Sequence, residues 1–313
     1  MNIIFELPFF NPCVGGIVET IKLAQRMKAS VRFQRKSEYH PIISVPFTIG
    51  LPDKSFPKCD VCITYSDNPY TTQLVALPQI GKVMIYMLSY GMEITRERAN
   101  VSNPNVQVMC STKKIEKAIR NDGYDVTRVG FALDMGEMYN YGNERDNVMA
   151  IYYHPMKSKR YDIAVQVADS LVGNTWIDGV HSFGTAEHYK QAPKPLALIS
   201  HTTDASREQI RNIFNKSLVF VNPSNSEGLN LTPIEATLCG CPSVIVDGAI
   251  DELFIDGVTC YISDSDDFFD VYNTTIELLS DYESCSKKFA KNMNLIIADY
   301  TFDHVIKNIN ELL

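Results

Sequence analysis

The sequence predicts an α/β fold made of two parallel-sheet domains, and three observations support this prediction. Short apolar runs rich in β-branched and aromatic residues alternate with amphipathic helical stretches along nearly the whole chain. A length of 313 residues suits two domains of ordinary size. Residues 134–147 lack apolar periodicity and are rich in Asn, Gly, Asp and Glu, so they are predicted to be the linker between two similar halves.

The first half begins with a strand, a glycine-containing loop and a helix. Residues 2–7 form an apolar run, residues 8–16 contain two Pro and two Gly, and residues 17–27 place apolar side chains on one helical face. Further strands are predicted at residues 42–47, 61–65, 83–88 and 107–110, followed by a helix at residues 113–120. Together these elements predict a Rossmann-like domain over residues 1–140.

The second half repeats this alternation over residues 147–313 and predicts a second Rossmann-like domain. Its strands are predicted at residues 148–153, 175–180, 195–199, 218–222 and 243–246. Its helices are predicted at residues 162–171, 206–215, 233–239, 267–279 and 302–313. The last helix belongs to this domain or packs back on the first one.

Composition excludes several classes of protein. With 45% hydrophobic and 21% charged residues, the chain is typical of globular proteins and unlike disordered ones. Its longest apolar runs are much shorter than the roughly 18 residues of a membrane-spanning helix. The first residues lack a basic region with a cleavage site, so we expect a cytoplasmic protein. The eight cysteines lie mostly in apolar runs without zinc-site spacing, which favours reduced thiols and no metal.

Charge is distributed unevenly. The net charge of -8 divides into +2 for residues 1–150 and -10 for residues 151–313. Basic residues crowd the end of the first helix and the segment after it, at Arg26, Lys28, Arg32, Arg35 and Lys36. Such a cluster suits an anionic partner, which leaves open a lipid phosphate, a membrane surface, an acidic glycan and a nucleic acid. A solvated helix end is the structural alternative.

The segment at residues 221–236 carries the most functional information. A strand ends, a glycine-containing loop follows, and a helix is predicted with Thr232 as N-cap and Pro233 at its first position. The loop is therefore expected at the carboxyl end of a parallel strand and at a helix N-terminus, where an anion binds favourably. Glu227 and Glu235 bracket this site, and carboxylates there suit hydrogen bonds from ribose or hexose hydroxyls.

The two glutamates differ in their structural alternatives. Thr232 and Glu235 have the spacing of a capping box, in which the carboxylate reaches back to the N-cap amide. Glu227 lies in the loop and has no helix to cap, so it is the stronger candidate for a functional role.

Three segments together carry a family resemblance: SNSEGLNLTPIEA at 224–236, GCPSVI at 240–245 and DELFIDG at 251–257. They resemble the donor-site signature of family 4 retaining glycosyltransferases, which have the GT-B fold and carry Glu-x7-Glu. The Gly-Gly pair at 15–16 resembles that family's N-terminal glycine loop, and residues 108–134 resemble the end of its first domain. The resemblance implies two Rossmann-like domains facing a central cleft, with the donor in the C-terminal domain and the acceptor mainly against the N-terminal one.

The same resemblance implies roles for particular residues. Glu235 would hold the ribose hydroxyls of the donor nucleotide, and Glu227 would contact the donor sugar. The amides facing sugar and phosphate would be those of Gly228, Leu229 and Asn230. Gly15 and Gly16 would bring backbone N–H groups against the diphosphate or the acceptor, which a Cβ would obstruct.

Two departures from the family pattern stand out. The family places an Arg after the first strand of the second domain and a Lys five residues later, both facing the diphosphate. Here Lys159 fits the Lys, His154 occupies the Arg position, and Arg160 replaces the usual Gly, so Lys157 or Arg160 is predicted to supply the missing charge. The structural alternative for residues 157–160 is a solvated basic turn.

The second departure is in the first domain, where the usual histidine of the family is absent. Ser89 and Tyr90 are the candidates to meet the transferred sugar.

The implied reaction is transfer of a sugar, with retention, from a nucleoside diphosphate sugar to an acceptor hydroxyl, with no cofactor beyond that co-substrate. Asp264 and Asp266 lie just before a predicted helix, so they are expected to be a cap cluster and not a metal site. Three alternatives remain: a GT-B-fold sugar-nucleotide epimerase, a non-catalytic sugar-nucleotide-binding protein, and glycosylation of a modified nucleic-acid base.

Overall fold

The computed structural model describes residues 1–10, 15–36, 46–90, 95–134, 136–154, 156–184, 193–247, 252–298 and 300–313. The chain divides into two compact units. Unit 1 comprises Met1–Leu133 and Asp299–Leu313, and unit 2 comprises Asp134–Ala298.

Unit 1 contains a seven-stranded parallel sheet. Its strands are β1 (Ile3–Leu7), β2 (Ser30–Phe33), β3 (Phe47–Ile49), β4 (Cys59–Tyr65), β5 (Ile80–Met87), β6 (Val106–Cys110) and β7 (Thr127–Arg128). They lie in the order β3-β2-β1-β4-β5-β6-β7. Its first four helices are α1 (Gly15–Arg26), α2 (Thr71–Ala76), α3 (Thr95–Val101) and α4 (Lys113–Asn121). All five residues of β1 are buried, as expected for a central strand of a covered parallel sheet.

Unit 2 contains a six-stranded parallel sheet in the order β10-β9-β8-β11-β12-β13. Its strands are β8 (Val148–Tyr153), β9 (Gly179–Gly184), β10 (Leu198–Thr203), β11 (Val219–Asn222), β12 (Ser243–Val246) and β13 (Tyr261–Ser263). Its helices are α5 (Tyr161–Gly173), α6 (Arg207–Lys216), α7 (Leu231–Leu238), α8 (Phe268–Ser280) and α9 (Tyr282–Ile297). A 3-10 turn at Lys157–Lys159 precedes α5. α5, α8 and α9 pack side chains into the same apolar core as the central strands.

The last helix, α10 (Phe302–Asn310), belongs to unit 1. It buries Phe302, Val305 and Ile309, and the Arg26 guanidinium of α1 lies 4.4 Å from the centre of the Phe302 ring. The domain limits proposed from the sequence included this helix in residues 147–313 and left open that it packs back on the first domain, which is what the structure shows. Sequence order alone could not decide between these, because it does not show which core the apolar face of the helix covers.

Several elements differ from the sequence-based expectations. β9 and β10 begin four and three residues later than predicted. For β9 the reason is that Thr175 adopts a left-handed conformation with φ +59° and cannot start a strand. The elements that were not predicted at all are β2, β7, β13, α2, α3 and α9. Of the strand predicted at 42–47, residues 42–45 lie outside the described residues, and the described strand there is Phe47–Ile49.

The predicted linker at 134–147 begins where the chain passes from unit 1 to unit 2, but its described residues are anchored on unit 2. The Tyr141 amide donates to Asn215 Oδ1 at 2.7 Å, and Asn215 Nδ2 donates to the Tyr139 carbonyl at 2.9 Å. The Arg145 guanidinium donates to three carbonyls at helix ends: those of Phe214, Ser217 and Cys239. Polar side chains hold this segment, which explains why it shows no apolar period.

The cysteines that the structure describes are buried and form no disulfide, while Cys13 lies outside the described residues. Burial raises the pKa of the Cys239 thiol to about 12.

Among the helices of the described residues, none combines the length and apolarity needed to cross a membrane.

Candidate functional site

Two loops meet at one edge of the unit 2 sheet. Since β8 and β11 are parallel neighbours, their carboxyl ends lie together, and the turn after β8 faces the loop after β11. The Asn225 amide donates to the Ser158 carbonyl at 2.9 Å, and Ser224 Oγ donates to the same carbonyl at 3.1 Å. The backbone of both loops is therefore fixed before any ligand arrives.

This meeting brings together two of the residues predicted from sequence. Lys159 Nζ, on the 3-10 turn, donates to Glu227 Oε1 in the β11–α7 loop. The Glu227 side chain is 8% exposed and the Lys159 side chain 20% exposed. The pair is partly shielded from water, so its electrostatic attraction exceeds that of a surface ion pair.

Arg160 is held in a different way from that expected. It has left-handed backbone angles, φ +43° and ψ +42°, which explains why glycine suits this position. Its guanidinium donates to Asp266 and, at 3.4 Å, to both carboxylate oxygens of Asp162. Because two carboxylates already balance its charge, Arg160 is poorly placed to supply the missing cation for a diphosphate.

The cap assignment for Asp266 was therefore wrong. Asp267 caps α8, accepting from the Phe269 amide at 2.8 Å, whereas Asp266 accepts from Arg160 and from Asn225 Nδ2. Burial alone would raise the pKa of Asp266, but the hydrogen bonds from Asn225 and Arg160 together hold this pKa below its usual value. Asp266 joins the β8 turn, the β11 loop and the start of α8.

The start of α7 also differs from the prediction. The helix begins at Leu231 with Asn230 at the N-cap position, so Pro233 is its third residue and Thr232 is not the N-cap. Proline is tolerated there because N–H groups of the first helical turn have no intrahelical partner. Asn222 Nδ2, at the end of β11, donates to Asn230 Oδ1 at 3.0 Å and fixes the start of the helix.

With this start, Glu235 is the fifth residue of α7 and cannot close a capping box. Its Oε1 instead accepts from Arg207 Nη1 at 2.6 Å, and Arg207 Nε donates to Glu137 Oε2 at 3.1 Å. Sequence analysis did not identify Arg207 or Glu137. The available signal was the capping box formed by Ser206 and Gln209, which makes Arg207 the first residue of α6.

Three buried polar atoms near these loops have no hydrogen-bond partner among the described residues: Ser158 Oγ, Tyr161 OH and Asn230 Nδ2. Buried side-chain polar atoms nearly always form a hydrogen bond, so such a concentration at one sheet edge points to a ligand site. Asn230 lies at the N-terminus of α7, where the helix dipole and free N–H groups favour an anion. Sequence analysis named Asn230 as a candidate but not Ser158 or Tyr161.

The remaining predicted residues of unit 2 lie at the same edge. His154 directly follows β8, and its Nδ1 accepts from the Met156 amide at 3.2 Å. A neutral imidazole with this contact carries its proton on Nε2. Gly228 and Leu229 are half-buried in the β11–α7 loop, and Lys157 is exposed. Pro155 and Asp251 lie outside the described residues.

In unit 1, Gly15 and Gly16 are the first two residues of α1, and residues 11–14 before them lie outside the described residues. A Cβ on Gly16 would lie 3.2 Å from Leu88 Cδ1, so close packing on the end of β5 favours glycine here. The Tyr90 hydroxyl donates to Asp122 Oδ2 at 2.8 Å. Ser89 is the second residue after β5 and is half-buried.

The predicted basic cluster is not a uniform surface patch. Arg32 is only 4% exposed, donates to the Leu51 carbonyl at 2.7 Å and lies over the Phe56 ring, so it cannot dock a partner. The other four members, Arg26, Lys28, Arg35 and Lys36, are exposed. Sequence could not separate them because Arg32 is buried by its place on the inner strand β2.

Within the part of the chain that the structure describes, no three His, Cys, Asp or Glu side chains are grouped so as to hold a metal ion.

Comparison with known proteins agrees with this architecture. Residues 155–281 match the family model for Glycosyl transferases group 1. No curated protein sequence matches the chain. Among solved structures, HepE from Anabaena in complex with UDP-glucose has a TM-score of 0.79 at 12% identity, covering 99% of this chain and 98% of its own.

Two further structures have the same fold. Sucrose-phosphate synthase from Thermosynechococcus elongatus has a TM-score of 0.75 at 11% identity, covering 100% of this chain and 98% of its own. A glycosyltransferase from Rickettsia africae has a TM-score of 0.74 at 10% identity, and the match covers 99% of this chain and 97% of the Rickettsia chain. The two parallel-sheet α/β domains thus have the architecture of GT-B glycosyltransferases.

Proposed function

We propose that this protein transfers a sugar, with retention of anomeric configuration, from a nucleoside diphosphate sugar to an acceptor hydroxyl. The observation that carries the proposal is the cluster at the carboxyl edge of the unit 2 sheet. There the Lys159–Glu227 pair lies in the loops beside the N-terminus of α7, and Asn230 presents a buried donor without a partner among the described residues.

In the proposed reaction, the bond between the sugar and the diphosphate breaks through an oxocarbenium-like state while negative charge builds on the diphosphate. The Lys159 ammonium and the first-turn N–H groups of α7 are suited to stabilise this charge. His154, which carries its proton on Nε2 when neutral, is a further donor to phosphate. We assign no carboxylate nucleophile. The leaving phosphate guides the incoming hydroxyl and takes its proton, while the acceptor oxygen bonds to the anomeric carbon on the face that the diphosphate leaves.

The two glutamates are assigned to hydroxyl groups. Glu227 contacts the donor sugar and Glu235 the ribose, since carboxylates accept hydrogen bonds from hydroxyls but repel phosphate. Lys159 both holds Glu227 and stabilises the phosphate charge, because one ammonium group can donate to a carboxylate and to a phosphate oxygen at the same time.

Two comparisons support a nucleotide-sugar donor. The family model matched by residues 155–281 is that of glycosyl transferases, and the names of the HepE structures include UDP and UDP-glucose. UDP is therefore the first nucleotide to test. For the acceptor, the exposed cations Arg26, Lys28, Arg35 and Lys36 of unit 1 favour an anionic molecule.

Thermal denaturation with UDP, GDP and ADP tests the donor site. A ligand that binds only the folded state at 100 times its Kd stabilises it by about 2.7 kcal/mol, so at least one nucleotide should raise the Tm. Failure of all three at millimolar concentration would contradict the donor site. Nucleotide sugars that raise the Tm are then incubated with candidate acceptors, and products are identified by mass spectrometry and their anomeric configuration by NMR. Donor turnover without acceptor would indicate an epimerase instead.

We also propose that transfer requires no metal ion, because Lys159 and the N-terminus of α7 supply positive charge at the diphosphate. Activity is expected to persist in EDTA. Loss of activity that only Mg²⁺ or Mn²⁺ restores would overturn this assignment.

A further inference from the structure

We propose that Arg207 is a positioning residue that orients the Glu235 carboxylate toward the two ribose hydroxyls of the donor nucleotide. This inference rests on the proposed function, in which Glu235 binds ribose. It assigns the preference for ribose to the Arg207–Glu235 pair, and not to Glu235 alone.

The geometry of the pair supports this role. Arg207 Nη1 donates to Glu235 Oε1 at 2.6 Å, a length typical of a strong charge-assisted hydrogen bond. Among the described residues, no other side chain or amide donates to this carboxylate. The second oxygen, Oε2, is not one of the buried atoms that lack a hydrogen-bond partner. Within the described part of the chain, Oε1 is thus held by Arg207, while Oε2 is available to accept from hydroxyl groups.

Charge supplies a second reason for the pairing. A bare carboxylate close to a diphosphate would repel it, whereas the guanidinium of Arg207 neutralises Glu235 and leaves its hydrogen-bonding capacity. The Glu235 side chain is 13% exposed, so this pairing takes place largely out of water, where an unpaired carboxylate would be unfavourable.

Arg207 is itself fixed from two sides. Its Nε donates to Glu137 Oε2 at 3.1 Å, and its backbone begins α6 behind the capping box of Ser206 and Gln209. A flexible arginine would lose side-chain entropy when Glu235 binds a ligand, whereas this one has already lost it on folding.

Arg211 provides a matched control. It lies one turn later on α6 and carries the same charge, but its guanidinium contacts the Tyr141 hydroxyl at 2.7 Å and the Glu137 carbonyl at 3.0 Å. None of these partners is a carboxylate of the proposed site. Arg211→Gln removes one positive charge from the same helix and leaves the Arg207–Glu235 contact in place.

The test compares binding of UDP, GDP and ADP with that of their 2′,3′-dideoxy forms, by calorimetry, in the full chain. The unaltered protein should prefer the ribose form of its nucleotide by about 10-fold or more, since hydrogen bonds to a charged acceptor carry this preference. Arg207→Gln should reduce the preference to within about threefold, as should Glu235→Gln. Arg207→Lys should restore part of it, and Arg211→Gln should leave it unchanged.

The possible outcomes distinguish failure of the proposed function from failure of the role assigned to Arg207. If no nucleotide binds the unaltered protein, the proposed function fails and the inference fails with it. If a nucleotide binds and Glu235→Gln abolishes the ribose preference while Arg207→Gln keeps it, the donor site stands and the role of Arg207 is refuted. If Arg211→Gln reduces the preference as much as Arg207→Gln, the effect is one of general charge and the inference is again refuted.

Discussion

At the scale of single residues, Glu6 is a buried carboxyl group of unit 1 with a raised pKa. Its side chain is fully buried near the carboxyl end of β1, where Asn68 Nδ2 donates to Oε2 at 3.1 Å. Burial raises its pKa to about 7, although the hydrogen bond from Asn68, the charge of Arg32 and the hydrogen bond from Gln34 act in the opposite direction. The nearby Cys62 thiol has a raised pKa, first because it is buried and then because Glu6 is close.

This pKa makes the stability of unit 1 depend on pH. Folded Glu6 holds its proton up to about pH 7, whereas the unfolded chain releases it near 4.5. The folded state binds more protons between these values, so the free energy of unfolding should fall as pH rises from 5 to 8, by at most about 3 kcal/mol. Glu6→Gln should remove that loss. Chemical denaturation at pH 5 and pH 8 measures the change in the free energy of unfolding, with the exposed Glu208→Gln as the control variant. If Glu6→Gln leaves the pH dependence unchanged, Glu6 is ionised in the folded state.

The Lys159–Glu227 pair leads to a prediction about catalysis. Lys159→Ala should lower kcat by about 100-fold or more, because a cation aimed at a developing charge acts mainly in the transition state. Lys157→Ala, two residues earlier on the same turn but exposed, should lower it by less than threefold. Steady-state kinetics with the identified nucleotide sugar measures both. Equal losses would mean that the turn contributes only general positive charge.

At the scale of elements, the segment at 136–147 shows how polar contacts replace an apolar face. Arg145 lies between the C-terminal ends of α6 and α7, where its guanidinium satisfies carbonyls that have no intrahelical partner. Gly240, just after α7, has φ +76°, and a Cβ there would lie 2.6 Å from Arg145 Nη2. Glycine at this position permits both the backbone conformation and the arginine contact.

Removing this guanidinium should therefore destabilise unit 2. We expect Arg145→Ala to lower the free energy of unfolding by about 2–4 kcal/mol, since hydrogen bonds with a charged partner contribute about 1.5–3 kcal/mol each and are not additive. Arg145→Lys should recover part of the loss. The neighbouring Glu144→Ala is the control and should change stability by less than about 0.5 kcal/mol. A similar effect of both alanine variants in urea denaturation would contradict the anchoring role.

At the scale of the whole molecule, the chain passes from unit 1 to unit 2 near residue 134 and returns near residue 299. The returning helix α10 completes the core of unit 1. Val305 is fully buried, and Asn308 Nδ2 donates to the Val129 carbonyl at 3.0 Å. The folding of unit 1 thus requires residues that are synthesised after all of unit 2.

A charge in α10 should unfold unit 1 selectively. We expect Val305→Asp to accelerate hydrogen exchange in peptides from residues 1–133, because burying an unpaired carboxylate costs several kcal/mol. Peptides from residues 134–298 should keep their protection. Leu295→Asp, at a position 67% exposed on α9, serves as the control and should alter neither. Loss of protection in both units would show that they unfold as one.

Much of the site was accessible from sequence because its signals are local. The strand-loop-helix pattern around Glu227 and the basic turn with Lys159 each lie within one short stretch of the chain, and local spacing is what apolar periodicity and turn chemistry report. The N-cap of α7 was nevertheless misplaced by two residues. Asn230 starts that helix because its side chain bonds to Asn222 of β11, which the pattern Thr-Pro-x-Glu does not reveal.

The sequence by itself determined the α/β class and the alternation of strands and helices in both halves, and it named Lys159 and Glu227 as candidates, which the structure shows in contact. Only the tertiary structure decided that Arg207 holds Glu235, that Asp266 binds Arg160, that Arg32 is buried and that α10 completes unit 1. These four outcomes share one physical reason. Each depends on partners 16 or more residues away, and the sheet order that brings such partners together is set by which faces bury apolar surface, a property of the whole fold.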